Sequence, residues 1–184
     1  MSLQRELVKL KDLSELMIEL AYSALFLHDK TFSRQVHILY KEFKEIHDFF
    51  QKRMKKRSRD QDEWVYLSRL SSYLKEFAIN AVFLADLSEL NHPPKAVKEA
   101  FITSDRRIIE ELVHFSSFFV GKTLGVLNLR VHTKTRLLAI KRDDKWLFDL
   151  PDTLAIKAKD ILIAVGVERS AKLLKELVNQ SAIG

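Results

Sequence analysis

Gly121-Lys122-Thr123 is the tripeptide whose residue types most suggest chemistry. It reads like the end of a phosphate-binding loop, in which backbone N–H groups curl round a phosphate and a lysine reaches it. That loop needs a further glycine five residues before the Gly-Lys pair. The residue there is Ser116, and Ser117, Phe118, Phe119 and Val120 fill the gap. Bulky apolar residues cannot form a phosphate nest, so nucleotide hydrolysis is rejected.

The remaining reactive side chains form no catalytic set. His28, His37, His47, His92, His114 and His132 are scattered, and none lies in an HExxH pattern. The chain has no cysteine, which removes disulfides, thiolate metal sites and cysteine nucleophiles. No nucleophile, base and oxyanion donor stand together, so the expectation is a protein that is not an enzyme. Lys52-Arg-Met-Lys-Lys-Arg-Ser-Arg59 is a basic run in a chain of net charge +6. It would attract nucleic acid or anionic lipid. It carries no interleaved aromatic and no groove-reading motif. It is therefore read as a solvated tip between two helices, with no nucleic acid among the partners.

The positioning elements follow from hydrophobic spacing. Leu3, Leu10, Met17 and Ala24 alternate with Leu13, Leu20 and Leu27; Phe32, Leu39 and Ile46 alternate with Val36, Phe43 and Phe50. A third series sets Leu67, Leu74 and Ala81 against Leu70, Phe77 and Leu84. Rows spaced alternately three and four pack one helix along another. Three helices of about 25 residues, each roughly 37 Å long, joined by short breaks, must run up, down and up. A fourth, shorter helix is expected over 95–111, with Pro94 in its first turn.

After about residue 113 the helical rhythm fails. Strands are expected over 114–120, 136–142 and 161–165, with a hairpin turn at Asp143-Asp144 into 145–148. Gly166 would end the last strand, and a closing helix would run over 168–178. The expected fold is α+β in two domains, an antiparallel three-helix bundle over 1–112 and a small α+β unit over 113–184. So small a unit, with strands apolar on both faces, predicts a homodimer, because large apolar patches rarely stay exposed. No apolar run reaches the roughly 18 residues of a membrane helix, and the N-terminus has no signal-peptide core, so a cytoplasmic protein without a membrane span is expected.

The second half resembles a known family. Gly121-Lys-Thr-Leu124, Leu127-Asn-Leu-Arg130, Leu137-Leu-Ala-Ile-Lys-Arg142, Trp146, Pro151-Asp-Thr153, Lys159-Asp-Ile-Leu-Ile163 and Gly166 follow the order of the TrkA-C domain, also called the RCK C-terminal domain. The resemblance implies a dimeric, ligand-sensing regulatory subunit of potassium or other cation transport, partnered with a membrane channel or transporter. Some members bind cyclic di-AMP between two subunits. Carried over, Arg130 is the arginine of the Asn-x-Arg motif and Leu124 an aliphatic contact. Arg136 stands where such binders hold asparagine, and Lys145 stands about where they hold histidine. Two arginines per subunit about a twofold axis would suit a symmetric phosphodiester or another anionic ligand. The same arginines also fit a rim paired with Asp152 or Glu168. No cofactor is required, and without a GxGxxG there is no implication of NAD.

The first half resembles the PhoU helical bundle, through Leu74-Lys-Glu-Phe-Ala-Ile-Asn-Ala81. That likeness implies an alternative, a metal-binding adaptor in phosphate signalling. Its divalent-metal ligands would be Glu76 and Asn80, one turn apart, with Glu42, Glu45 and Asp48 as a second acidic cluster. Asn80 replaces the family's second acid, which removes one negative charge. All five residues also fit a solvated helix face.

Overall fold

The computed structural model describes residues 3–57, 61–90 and 106–181. They divide into two compact units, Met1–Pro93 and Pro94–Gly184. The first holds α1 (Leu3–Leu27), α2 (Lys30–Arg57) and α3 (Gln61–Leu87). The second holds strands β1 (Arg106–Leu112), β2 (Arg136–Arg142), β3 (Lys145–Leu147) and β4 (Ile161–Val167). Its helices are α4 (Leu124–Leu127), α5 (Leu129–His132) and α6 (Glu168–Asn179). The α+β class and the helical first half are as expected.

In the bundle, Leu10, Met17, Leu20, Ala24, Phe32, Val36, Phe43 and Phe50 are buried, so the spacing of α1 and α2 finds its core. On α3 the expected row is partly wrong. Its buried face is Ser71, Leu74, Ala78, Ala81 and Ala85, while Phe77 is 52% exposed. Small residues let α3 sit close to its neighbours, and the larger Phe77 is turned aside.

Polar side chains of α2 also turn inward, and Gln51 Nε2 donates to Ser71 Oγ of α3 at 2.6 Å. Arg53 of the basic run turns inward to pair with Glu6, which is 2% exposed. His47 is buried, stacks on Phe43 and sits in the field of Lys75. Burial, and then the Lys75 charge, push the His47 imidazole below its ordinary pKa, against the opposing pull of Asp48.

The second unit is a four-stranded antiparallel sheet in the order β1-β4-β2-β3. Ile109, Val113, Ile140, Leu162 and Ala164 form its core with Leu174 and Val178 of α6 and with Phe119, Leu127, Leu129 and Ile156 from the loops. Leu138, Ile163 and Val165 are buried as well. One face of the strand centres is therefore covered by α6 and the loops of the same unit.

Three local expectations are corrected. Of the expected helix over 95–111, residues 95–105 lie outside the described residues and 106–111 belong to β1. Ile109 faces the core while Glu110 is exposed, a period of two, so pairing with β4 prevails over helical spacing. The expected strand over 114–120 is a series of turns closed by Ser117 N–H to His114 O and Val120 N–H to Ser117 O. Ser117 Oγ donates to Val178 O and Phe119 is buried, so the segment coils against α6 instead of pairing along its length. Gly166 does not stop β4, which continues to Val167. A Cβ at Gly166 would lie 3.0 Å from Ser170 Cβ and 3.1 Å from Thr135 Cγ2, so the glycine admits the first turn of α6.

Candidate functional site

The Gly121–Arg130 decamer is held by backbone hydrogen bonds to the segment 152–156. Gly121 N–H donates to Ile156 O, Ile156 N–H to Lys122 O, Leu124 N–H to Leu154 O and Gly125 N–H to Asp152 O, each at 2.9 Å. Gly121 has φ +80°, open to glycine and costly for other residues. A Cβ on Gly125 would lie 3.1 Å from Asp152 Cβ and 3.2 Å from Asp152 O. Gly121, whose tripeptide reads like the end of a phosphate loop, thus serves a turn, and Gly125 a close backbone approach. No nucleotide is needed to explain them.

Thr123 caps α4, its hydroxyl accepting from Val126 N–H. Asn128 then takes the left-handed conformation, φ 37° and ψ 55°, between α4 and α5. Asparagine tolerates that region better than most residues. The kink presents Arg130 to solvent on α5 while Leu127 and Leu129 point into the core. Behind it, Thr133 Oγ1 donates to Leu129 O at 2.7 Å and lies 2.6 Å from Thr135 Oγ1, which locks the end of α5 onto the start of β2. Arg130 pairs with no acid among the described residues. Val126 and Val131, either side of it in sequence, are 69% and 55% exposed.

The four candidate ligand contacts are not gathered in one place. Leu124 is half-buried on α4, Arg130 lies on α5, and Arg136 begins β2. Lys145 begins β3 and pairs with Arg142, the far end of β2. Six strand steps separate Arg136 from Arg142, about 20 Å. Within one chain Lys145 is thus at the opposite end of the sheet from Arg136. Glu168 is 4.0 Å from Arg107 and 3.2 Å from Lys172. Sequence reading misses Arg107, because helical spacing claims its segment. As part of β1 it lies opposite Gly166, while Arg136 lies opposite the adjacent Val165, so both arginines reach the same end of the sheet.

The far end of the sheet is anchored by a buried ion pair that sequence reading also misses. Asp160, 1% exposed, accepts from Arg142 Nε at 2.8 Å, Arg142 Nη2 at 2.7 Å and Lys157 N–H at 2.8 Å. Arg142 Nη2 also donates to Ala155 O. Its hydrogen bonds to Asp160 raise the guanidinium pKa further.

The metal candidates lie on helix surfaces. Glu76, Asn80, Glu45 and Asp48 are exposed, and Glu42 bonds Lys9 of α1 at 2.7 Å. Among the described residues no group of three or more His, Cys, Asp or Glu is placed to hold a metal ion. No helix of the described residues is long and apolar enough to cross a membrane.

Several solved structures are similar to parts of this chain. Among curated proteins none matches the chain. The RCK_C domain dimer of S. agalactiae BusR in complex with c-di-AMP is similar at 25% identity and TM-score 0.39, over 41% of this chain and 94% of that one. S. agalactiae BusR in complex with its busA promoter DNA is similar at 19% identity and TM-score 0.38, over 74% of this chain and 66% of that one. The RCK C domain of the potassium transport protein KtrA in complex with c-di-AMP is similar at 17% identity and TM-score 0.37, over 44% and 93%. The BusR–DNA structure overturns the expectation that nucleic acid is not a partner. That exclusion rests on the lack of a base-reading motif, and phosphate contacts need only lysine and arginine. The TrkA-C family model matches residues 108–179. With the four-stranded sheet, the Asn128 kink and the closing helix in that segment, residues 108–179 of this chain form a TrkA-C domain.

Proposed function

We propose that this protein is a non-enzymatic regulatory subunit of potassium or other cation transport, and that its TrkA-C domain senses a small anionic ligand across two copies. The carrying observation is the α4–α5 kink within the matched segment. It exposes Arg130 beside Val126 and Val131, a cation with apolar shoulders. A twofold pairing of this edge would cover the valines and bring two guanidinium groups together, which suits a cyclic dinucleotide such as cyclic di-AMP. Leu124 and Arg136 would complete the contact. Lys145 would belong to it only if the second copy supplied it.

The test is a thermal shift of the full chain with cyclic di-AMP, with adenosine monophosphate as control. A ligand that binds only the folded state raises Tm. Cyclic di-AMP is expected to raise it for the wild type, and Arg130→Ala is expected to weaken binding at least tenfold with unchanged ligand-free Tm. An identical Tm with and without ligand up to millimolar concentration would overturn the reading.

A further inference from the structure

Helix α3 carries two apolar rows, and the bundle buries one of them. Tyr66, Leu70, Tyr73, Phe77, Leu84 and Leu87 form the second, spaced alternately four and three with Asn80 in the one polar place. At about 100° per residue it lies roughly a quarter-turn round the helix from the buried row. Tyr66 is 71% exposed, Tyr73 56%, Phe77 52% and Leu87 49%. Such spacing is that of knobs that fit the holes of another helix.

We propose that this row pairs with the same row of a second copy of the chain, the two α3 helices running antiparallel about a twofold axis beside Tyr73. Charge selects the direction. Arg69 and Glu76 lie along the outer flank of the row, while the other flank, Leu67, Leu74 and Ala81, turns towards the bundle's own core. Parallel helices would set Arg69 and Glu76 against that apolar flank. Antiparallel helices set outer flank against outer flank, so Arg69 meets Glu76 of the second copy twice, and Tyr73 meets Tyr73 of the second copy. The area is adequate. An aromatic side chain offers about 150–250 Å², so the exposed parts of Tyr66, Tyr73 and Phe77 leave roughly 350 Å² per copy and 700 Å² per pair. Leu70 and the flanks bring this to about 1,000 Å², near the lower bound of a specific interface. An isologous patch of this kind closes as a dimer. The pairing is independent of ligand sensing by the TrkA-C domain.

The chain has no cysteine, so a single introduced one reports only on contact between copies. In the full chain at micromolar concentration, Tyr73→Cys is expected to oxidise to a covalent dimer at least tenfold faster than Glu15→Cys on the exposed face of α1. Tyr66→Cys is expected to stay as slow as Glu15→Cys. Antiparallel pairing about Tyr73 holds the two copies of position 66 about 21 Å apart, beyond the roughly 7 Å reach of a disulfide. In the Tyr73→Cys background, Arg69→Glu or Glu76→Arg alone slows the reaction and the two together restore it. Equal rates at 66, 73 and 87 would mean parallel pairing and overturn the proposal. A Tyr73→Cys rate no faster than Glu15→Cys would overturn self-pairing altogether, and leave any ligand-induced Tm shift untouched.

Discussion

Each unit buries an arginine–carboxylate pair, and the two pairs are built differently. In the bundle, Glu6 meets Arg53 through Oε1, and its buried Oε2 has no hydrogen-bond partner. In the TrkA-C domain both oxygens of Asp160 are used, by two guanidinium nitrogens and the Lys157 N–H, while Arg142 also holds Ala155 O. The bundle satisfies its backbone inside each helix, so its ion pair is an addition to side-chain packing. The TrkA-C domain must join loops remote in sequence, so its ion pair is part of the backbone wiring. Buried pairs stabilise only when the remaining lone pairs and protons are met. By that criterion Asp160–Arg142 is structural and Glu6–Arg53 is replaceable.

The largest expected effect tests this directly. Arg142→Ala leaves Asp160 buried and uncompensated, and is expected to cost about 3–5 kcal/mol in urea unfolding of the TrkA-C domain. A loss under about 1 kcal/mol would break the contrast. The double replacement Glu6→Leu with Arg53→Met is expected to leave bundle stability unchanged or raised by up to about 4 kcal/mol. Applied to Asp160 and Arg142, the same swap should destabilise, since Lys157 N–H and Ala155 O lose their partners; equal outcomes in the two units would sink the distinction.

A smaller effect sharpens the role of the loop contacts. Gly125→Ala forces a methyl against Asp152 and is expected to cost about 1–3 kcal/mol, read as a lower urea midpoint. A neutral result would show that the 152–156 segment yields easily.

The smallest concerns pH and the bundle alone. His47 is held below its ordinary value when folded, so below about pH 6.5 the unfolded chain binds the extra proton. Bundle stability should be full above that pH and decline as pH falls towards the lowered folded value. His47→Phe should abolish that part of the decline by removing the titrating group. A wild-type profile flat between about pH 7.5 and 5 would contradict it.

The first two helices are legible because a helix bonds to itself and leaves its tertiary instructions in the spacing of its side chains. Leu10, Met17, Val36, Phe43 and Phe50 can be picked out directly, and all five are buried. The third helix is legible only in part. Its sequence holds two apolar rows, and periodicity cannot say which one faces inward; small residues choose the core, and Phe77 goes outside.

In the TrkA-C domain, β2, the Asp143-Asp144 hairpin and α6 are readable, the hairpin because both aspartates accept positive φ, 48° and 62°. β1 is not, because Arg106–Leu112 carries no signal that distinguishes an edge strand from a short helix until β4 is beside it. The Asn-x-Arg motif of Asn128 and Arg130 is found by family resemblance, but its left-handed kink and the place of Lys145 at the far end of the sheet are invisible without the structure.

By itself, then, the amino-acid sequence determined what each segment could pair with locally: helix spacing, turn residues and the order of the TrkA-C pieces. The tertiary structure alone decided which of two rows on α3 is buried, that Arg53 turns inward to Glu6, and that Asp160 and Arg142 meet across 18 positions. Those outcomes depend on contacts between residues distant in the chain, and the spacing of neighbours along a sequence carries no record of them.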